Sequence, residues 1–215
     1  MLPIPGEVGF APTKKRGLTL RELTLLRSHD PRNFWGWLLH KPNRRVNEIF
    51  FVSVALDLNS PKPFVWPPEA VTADQAWVEL REGETKTFNL GAGVPIFPPA
   101  ELQSGIALAI LIGESEEKER RAAQHVHDAV QKLNSDGDVL KFLAAAIASP
   151  ATITAAAALG ALVKAVDIVS GELAKNHDDN LGAYMAFFPA TSEWKKENLE
   201  DANADTRIRL EEVAA

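Results

Sequence analysis

Hydrophobic positions in the first half of the chain follow the short periods that are typical of β-strands. Residues 18–26 are rich in leucine and threonine and alternate imperfectly, which favours a strand over a helix. Residues 106–112 form an unbroken apolar run of strand length, which predicts a central strand buried on both faces. Residues 48–58 are β-branched and aromatic, and an alternating set of their side chains shares one face. That set is Phe50, Val52, Val54 and Leu56.

Three further segments complete the predicted strands. Residues 77–81 and 85–90 flank a Glu82-Gly83-Glu84 turn and predict a hairpin. Residues 91–99 are rich in glycine and proline, which predicts a loop. Residues 181–188 are apolar and aromatic, and they predict the last strand.

The pattern becomes helical after the central strand. Ser115 is a candidate N-cap, and the glutamates that follow it suit the positive end of a helix dipole. A second helix is predicted over 138–148, and a third begins at Ser149-Pro150 and ends near Lys175. This order predicts an α+β protein, namely an antiparallel β-sandwich with a three-helix insertion before the last strand.

The same pattern divides the chain into one domain and two flanking segments. Residues 1–16 contain prolines and glycines, end in three basic residues and predict an extended arm. Residues 17–190 are predicted to form a single β-sandwich domain with its helical insertion at 115–176. Residues 191–215 are predicted to be a charged C-terminal tail, helical or frayed, with Trp194 as its anchor.

Composition narrows the class of protein. The 215 residues are 46% apolar and 24% charged, which is ordinary for a globular domain. The chain has no cysteine, and this excludes a disulfide scaffold, a thiol nucleophile and a cysteine-built zinc site. No secretory signal pattern is visible, so a cytoplasmic location is the default expectation. Export by a route that needs no such signal stays open.

Charge is distributed unevenly along the chain. Residues 1–66 contain ten basic and five acidic residues, a balance of +5, whereas the other residues contain 13 basic and 24 acidic, a balance of −11. We interpret the asymmetry as attraction between the two parts within the fold. The alternative is that the basic part meets an unknown protein or an anionic membrane surface. The overall net charge of −6 argues against nucleic acid as a partner.

Three stretches give the chain a strand-level resemblance to a known family. They are Asn47-Glu48-Ile49-Phe50-Phe51-Val52-Ser53-Val54, Ala109-Ile110-Leu111-Ile112-Gly113-Glu114-Ser115-Glu116 and Asp178-Asp179-Asn180-Leu181-Gly182. Together they resemble the C2 domain family, the calcium- and phospholipid-binding β-sandwiches. The resemblance implies Ca²⁺ as the candidate cofactor, and no other, bound by carboxylates at one end of the sandwich. The implied ligands are Asp30, Glu48, Glu114, Glu116, Asp178 and Asp179. The alternative is that residues 114–117 open a helix and that Asp178-Asp179 make a surface turn.

Two other segments are candidates for contacts with a partner. Residues 142–163 contain no charge and are split by Pro150, which predicts a hairpin of apolar helices within 138–175. The hairpin can pack in the core, insert into a membrane or mediate self-association. A second candidate is a tryptophan-rich basic loop that suits a membrane interface or a stacked ligand, unless its tryptophans cap the sandwich core. Its contact residues are Phe34, Trp35, Trp37, Lys41, Arg44 and Arg45.

The sequence contains no recognisable catalytic constellation. It lacks a Gly-x-Ser-x-Gly motif and a phosphate-binding loop, and His125 and His127 lie two apart on a predicted helix, where they diverge. We therefore expect no enzyme. The prediction is a non-enzymatic binding or interaction module that uses Ca²⁺ at an acidic edge of the sandwich. The alternatives are a membrane-active effector that uses residues 138–175, or a structural subunit of an assembly.

Overall fold

The structure is a computed structural model, and the residues that it describes form two antiparallel β-sheets and three α-helices. It describes residues 15–28, 46–68, 77–114, 119–173, 179–194 and 199–214. The coarse prediction of an α+β protein built on a two-sheet sandwich is confirmed by these sheets.

Each sheet has five strands within the described part of the chain. The first sheet contains β1 (Arg16–Leu25), β5 (Thr85–Thr87), β6 (Val94–Ala100), β9 (Glu200–Ala202) and β10 (Thr206–Ala214). The second sheet contains β2 (Asn47–Asp57), β3 (Phe64–Trp66), β4 (Trp77–Leu80), β7 (Gly105–Glu114) and β8 (Asp179–Pro189). In the first sheet β10 lies between β1 and β9, and β1 pairs on its other side with β5 and β6. In the second sheet β7 lies between β2 and β8, and β2 pairs on its other side with β3 and β4.

The helices occupy the chain between β7 and β8. They are α1 (Glu119–Ser135), α2 (Gly137–Ala148) and α3 (Ala155–Leu173). The helix α2 begins at an Asp136 cap, whose carboxylate accepts bonds from the backbone N–H groups of Asp138 and Val139. The predicted proline start of the third helix is corrected: Pro150 lies in a short 3₁₀ turn, and the Thr154 hydroxyl caps α3 by accepting from the Ala157 N–H at 3.1 Å.

Two hydrophobic cores lie on opposite faces of the second sheet. One is the core between the sheets, where Phe51 of β2 and Ile110 of β7 meet Leu20 of β1. The other is the core under the helices, where alternate residues of the same strands meet the helix residues. The predicted face of β2, with Phe50, Val52, Val54 and Leu56, belongs to this second core. The strands β2 and β7 are apolar at nearly every position because both of their faces are covered.

A bulge explains the imperfect alternation of β1. Its register against β10 shifts between Leu20 and Glu22. The inward-facing residues change there from even positions such as Leu18 to odd positions such as Leu23, since a bulge adds one residue to the strand. The alternation is regular on each side of Arg21.

The predicted hairpin at residues 82–84 is wrong. The turn exists, with Gly83 at φ +83° and the Glu84 N–H donating to the Arg81 carbonyl at 2.8 Å. However, β4 pairs with β2 and β5 pairs with β1, so the turn carries the chain from one sheet to the other. Turn residues specify a local reversal of the chain, but they do not determine which strands pair.

The predicted loop at residues 91–99 is also wrong over most of its length. Residues 94–100 form β6, which pairs with β1 alone. A proline cannot donate to a strand ladder, but an edge strand has one side without a neighbour. Its three prolines, Pro95, Pro98 and Pro99, are therefore compatible with this position.

The C-terminal segment corrects the predicted domain boundary. Residues 206–214, interpreted as part of a helical or frayed tail, form β10 and pair with β1 along almost its full length. Thr206, Ile208 and Leu210 are buried, and the charged residues between them are exposed. The predicted strand at 181–188 does pair with the central strand, but it is not the last, because β9 and β10 follow it.

Candidate functional site

Five separate parts of the chain meet at one end of the sandwich, which we call the acidic end. Residues 26–28, which follow β1, and residues 203–205, which precede β10, join there through the Asp205 carbonyl, which accepts from the N–H groups of Leu26 and Arg27. The start of β2, the end of β7 and the start of β8 also lie there. Ile49 is opposite Glu114, and Glu114 is opposite Asp179.

A buried polar bridge holds the two sheets together at this end. The Ser28 hydroxyl donates to Asn47 Oδ1 at 3.0 Å, and Asn47 Nδ2 donates to the Leu80 carbonyl at 3.2 Å. Ser28 and Asn47 are both buried. Buried polar groups in this arrangement stabilise the sheet ends because their hydrogen bonds replace those made to water.

Charge at the acidic end is unbalanced among the described residues. The strand ends and turns there contain three arginines, Arg27, Arg81 and Arg207, against seven acidic residues. Glu48 on β2 lies directly opposite Glu79 on β4, and both side chains are exposed. Like charges across a strand pair repel, so this end favours a cation. The seven acidic residues are Glu48, Glu79, Glu82, Glu84, Glu114, Asp179 and Asp205.

The predicted calcium ligands Glu48 and Glu114 do not converge. Glu114 lies opposite Ile49, whose side chain belongs to the core between the sheets. Glu48 is the next residue along β2 and therefore projects from the other face of the same sheet. Glu114 is buried, at 7% exposure, whereas Glu48 is exposed.

Of the remaining predicted site residues, only Asp179 is among the described residues. Asp179 lies in β8, and its backbone position is opposite Glu114. The predicted ligands Asp30, Glu116 and Asp178 lie outside the described residues. So does the whole tryptophan-rich contact set, namely Phe34, Trp35, Trp37, Lys41, Arg44 and Arg45. The described residues that flank that set, Ser28 and Val46, lie at or beside the acidic end.

The opposite end of the sandwich contains a cluster that the sequence did not indicate. Arg16, assigned to the extended arm, is the first residue of β1 and is buried, at 8% exposure. Its guanidinium makes a two-pronged contact with Glu212, at 2.8 and 3.2 Å, and lies 3.9 Å from the Trp194 ring centre. It also donates to three carbonyls, those of Pro189, Ala190 and Ser192. We call these residues the Arg16 cluster.

The Arg16 cluster supports the interpretation that the uneven charge acts within the fold. Basic residues of β1 pair with acidic residues of β10 at Arg16–Glu212 and Arg21–Glu211. A reciprocal pair joins Arg209 to Glu22 at 3.4 Å. The basic residues at the start of β1 were the only sign of this cluster in the sequence. The acidic residues that they contact become known only from the pairing of β1 with β10.

Tyr184 ties the two sheets together near the acidic end. Its hydroxyl on β8 lies 2.6 Å from the Thr206 carbonyl and 2.7 Å from the Thr206 hydroxyl on β10. Burial raises the pKa of Tyr184 above its ordinary value of 10.0, and Asp201 and Asp205 act in the same direction. The adjacent pocket, lined by Ile110, Tyr184 and Leu199 among others, has a volume of about 20 Å³. That is room for about one water molecule rather than for an organic ligand.

The apolar helical segment packs mainly against the second sheet. Leu143 and Ala146 of α2 and Leu162 of α3 are fully buried in the core under the helices. Ile147 and Val163 are the exposed large hydrophobic residues of this segment, at 39% and 43% exposure. Within the described part of the chain, no helix combines the length and the apolar character that crossing a membrane requires.

Comparison of the chain with protein-family models, with curated proteins and with solved structures returned no match. The resemblance to the C2 domain family therefore stays a prediction that depends on the three stretches quoted above.

Proposed function

We propose that this chain is a non-enzymatic interaction module whose acidic end binds Ca²⁺. The observation that carries this proposal is the meeting, at the acidic end, of described residues that are predicted ligands or lie next to them in the sequence. Ser28 is bonded to Asn47, next to Glu48, and Glu114 lies opposite Asp179. Asp30, Glu116 and Asp178 are each within two residues of one of these positions.

The chemistry of this end suits a hard cation. Ca²⁺ takes six to eight oxygen ligands, and carboxylates from several chain segments can supply them. Glu114 is a buried acid at the rim, and a charge in such a place interacts more strongly with an ion than an exposed charge does. An ion there would attach a partner by accepting its oxygen ligands, or by neutralising the repulsion that keeps an acidic or anionic surface away.

The geometry also limits the proposed site. Among the described residues, no group of three or more histidine, aspartate or glutamate side chains is arranged to hold a metal ion. The proposed site therefore consists of Glu114 and Asp179 together with Asp30, Glu116 and Asp178. Glu48 is left out of direct contact with the ion because it projects from the other face of the sheet.

Calcium titration during thermal unfolding tests this proposal. Wild-type protein is melted in EDTA and then at increasing Ca²⁺, with Mg²⁺ as the competing ion. At Ca²⁺ about 100-fold above Kd, binding adds about 2.7 kcal/mol to the free energy of unfolding. For a domain of this size the melting temperature should then rise by about 5–10 °C.

Matched variants assign the ion to the acidic end. Glu114→Gln keeps the shape of the side chain and removes its charge, and it should abolish most of the calcium shift. Glu101→Gln makes the same change at an exposed position before the start of β7, at the far end of the sandwich, and should leave the shift intact. The calcium proposal fails if millimolar Ca²⁺ leaves the melting temperature unchanged, or if both variants respond like the wild type.

A further inference from the structure

One sheet edge lacks the features with which proteins usually protect an edge. Exposed edge strands are normally short, charged or interrupted by proline, since their free backbone groups can pair with another chain. The strands β3, β5 and β9 have three residues each, β4 has four and contains Glu79, and β6 contains three prolines. The strand β8 has eleven residues, and residues 181–190 contain no charge.

The register identifies which backbone groups of β8 point outward. The Ala190 N–H donates to the Ser104 carbonyl, next to the pair Gly105–Pro189. In an antiparallel ladder the residues alternate between bonding to the neighbour and pointing away from it. Even-numbered residues such as Tyr184 and Ala186 therefore bond to β7, whereas the backbone groups of Ala183, Met185 and Phe187 point away from the sheet.

The row of outward-pointing backbone groups on β8 is limited to three residues. No hydrogen bond among the described residues reaches the outward backbone groups of Ala183, Met185 and Phe187. Beyond them, the Leu181 carbonyl accepts from Asn203 Nδ2 at 3.1 Å, and Pro189 has no N–H to donate. The available edge is therefore a three-residue row, with both of its ends closed.

We propose that this edge pairs with the same edge of a second copy of the chain. The two β8 strands run antiparallel about a two-fold axis at Met185, so that the two sheets become one continuous sheet. Met185 then faces Met185 of the other copy, and Ala183 faces Phe187. Three such residue pairs exchange about six hydrogen bonds.

Side-chain size and charge favour a second copy as the partner. Pairing across the axis sets the small Ala183 against the large Phe187, and it buries part of Met185, which is 45% exposed. No charge faces a like charge along the paired row. The antiparallel direction also brings the acidic end of one copy toward the other copy's Pro189 corner, where the exposed Lys15 adjoins the Arg16 cluster.

Mass measurement of the full chain tests the pairing. Light scattering across a dilution series should give twice the 23.5 kDa of one chain at high concentration. Met185→Lys places two like charges opposite each other at the axis and should weaken dimerisation by at least about 100-fold. Ile147→Lys adds the same charge to an exposed position on α2 and should leave dimerisation unchanged. Circular dichroism checks that each variant is folded, and Ala183→Lys replaces Met185→Lys should the latter not fold.

Amide exchange resolved by residue identifies the edge itself. In the dimer the amides of Ala183, Met185 and Phe187 should become protected, and dilution should remove their protection while Tyr184 and Ala186 keep theirs. Three results would each overturn the proposal: a wild-type monomer up to about 1 mM, a dimer whose odd-numbered amides of β8 exchange freely, or a folded Met185→Lys and Ala183→Lys that dimerise like the wild type. A monomer that binds a strand of a different protein also counts against it.

Discussion

Charged side chains have different surroundings at the two ends of the sandwich. At the Arg16 cluster, one buried cation meets a carboxylate, three carbonyls and an aromatic ring, so that its charge is fully surrounded by partners. At the acidic end, neutral groups join the sheets through Ser28–Asn47 and Tyr184–Thr206, and two exposed carboxylates, Glu48 and Glu79, lie on directly opposed strand positions. The first end is built as a structural clamp, and the second places like charges opposite each other on the paired strands β2 and β4.

This difference separates a structural role from a binding role. A buried ion pair with complete hydrogen bonding contributes to the fold, and breaking it is costly. Repelling charges such as Glu48 and Glu79 at a sheet end reduce stability, and positions of that kind are candidates for contact with a cation. The comparison therefore predicts that removing a charge changes the free energy of unfolding by different amounts at the two ends. For the last pair of variants below, the two changes should have opposite signs.

The largest expected effect is at the Arg16 cluster. Arg16→Ala leaves Glu212 and the carbonyls of Ala190 and Ser192 without their donor, while the Pro189 carbonyl still accepts from the Trp194 Nε1–H at 2.9 Å. It should lower the free energy of unfolding by about 3 kcal/mol. Arg16→Lys keeps the charge but not the planar fork that contacts both Glu212 oxygens, so its loss should be intermediate. Urea unfolding measures both, and Lys62→Ala, at an exposed position outside the Arg16 cluster and the acidic end, provides the control. A loss below about 1 kcal/mol for Arg16→Ala would mean that the cluster does not clamp the sheets.

A smaller effect is expected at the neutral tie through Tyr184. Tyr184→Phe should cost about 1 kcal/mol at neutral pH, because the Thr206 carbonyl still accepts from the Asn203 N–H. The raised pKa of Tyr184 adds a pH dependence. The stabilising effect of the buried neutral phenol is complete below pH 10.0, its ordinary pKa, and is lost as the pH rises through the higher pKa of the folded state. The phenylalanine variant lacks this loss, so the two stability curves should converge at alkaline pH.

Tyr184 is the only tyrosine in the chain, which allows a direct measurement. Phenolate absorbance reports its ionisation without a contribution from another tyrosine. Folded protein should titrate above pH 10.0, and protein in urea near that value. A folded titration at or below the unfolded one would show that the hydroxyl is not enclosed between the sheets.

Strands with a strong internal pattern could be predicted, and strands defined by their neighbours could not. The apolar runs of β2 and β7 reflect burial on both faces, which the chain itself encodes. The edge strand β6 has prolines because only one neighbour needs its N–H groups, and this is a property of the sheet rather than of the segment. The alternation in Thr206–Leu210 was present in the sequence, but charges between the buried positions made it resemble a solvated tail.

The sequence allowed us to predict that Glu114 and Asp179 lie at the same end of the sandwich, but not which side chains project from the same face there. The order of the strands brings Glu114 and Asp179 to one end because both belong to strands that pair with each other. The face of each side chain depends on register, which a single sequence does not determine. Glu48 was therefore grouped with Glu114 although the two project from opposite faces of the sheet.

The smallest expected effect belongs to a pair of matched variants, one at each end, that should change the free energy of unfolding in opposite directions. Glu48→Gln removes a repulsion from Glu79 and should raise the free energy of unfolding by about 0.3 kcal/mol at low salt. Glu212→Gln, the same chemical change at the Arg16 cluster, removes an attraction and should lower it by about 1 kcal/mol. Screening should erase the gain at Glu48, since it is exposed, while the loss at the partly buried Glu212 should persist in 1 M salt, where the screening length is about 3 Å. If both substitutions destabilise the protein equally, the repulsion between Glu48 and Glu79 is compensated within the fold, and the contrast in charge between the two ends disappears.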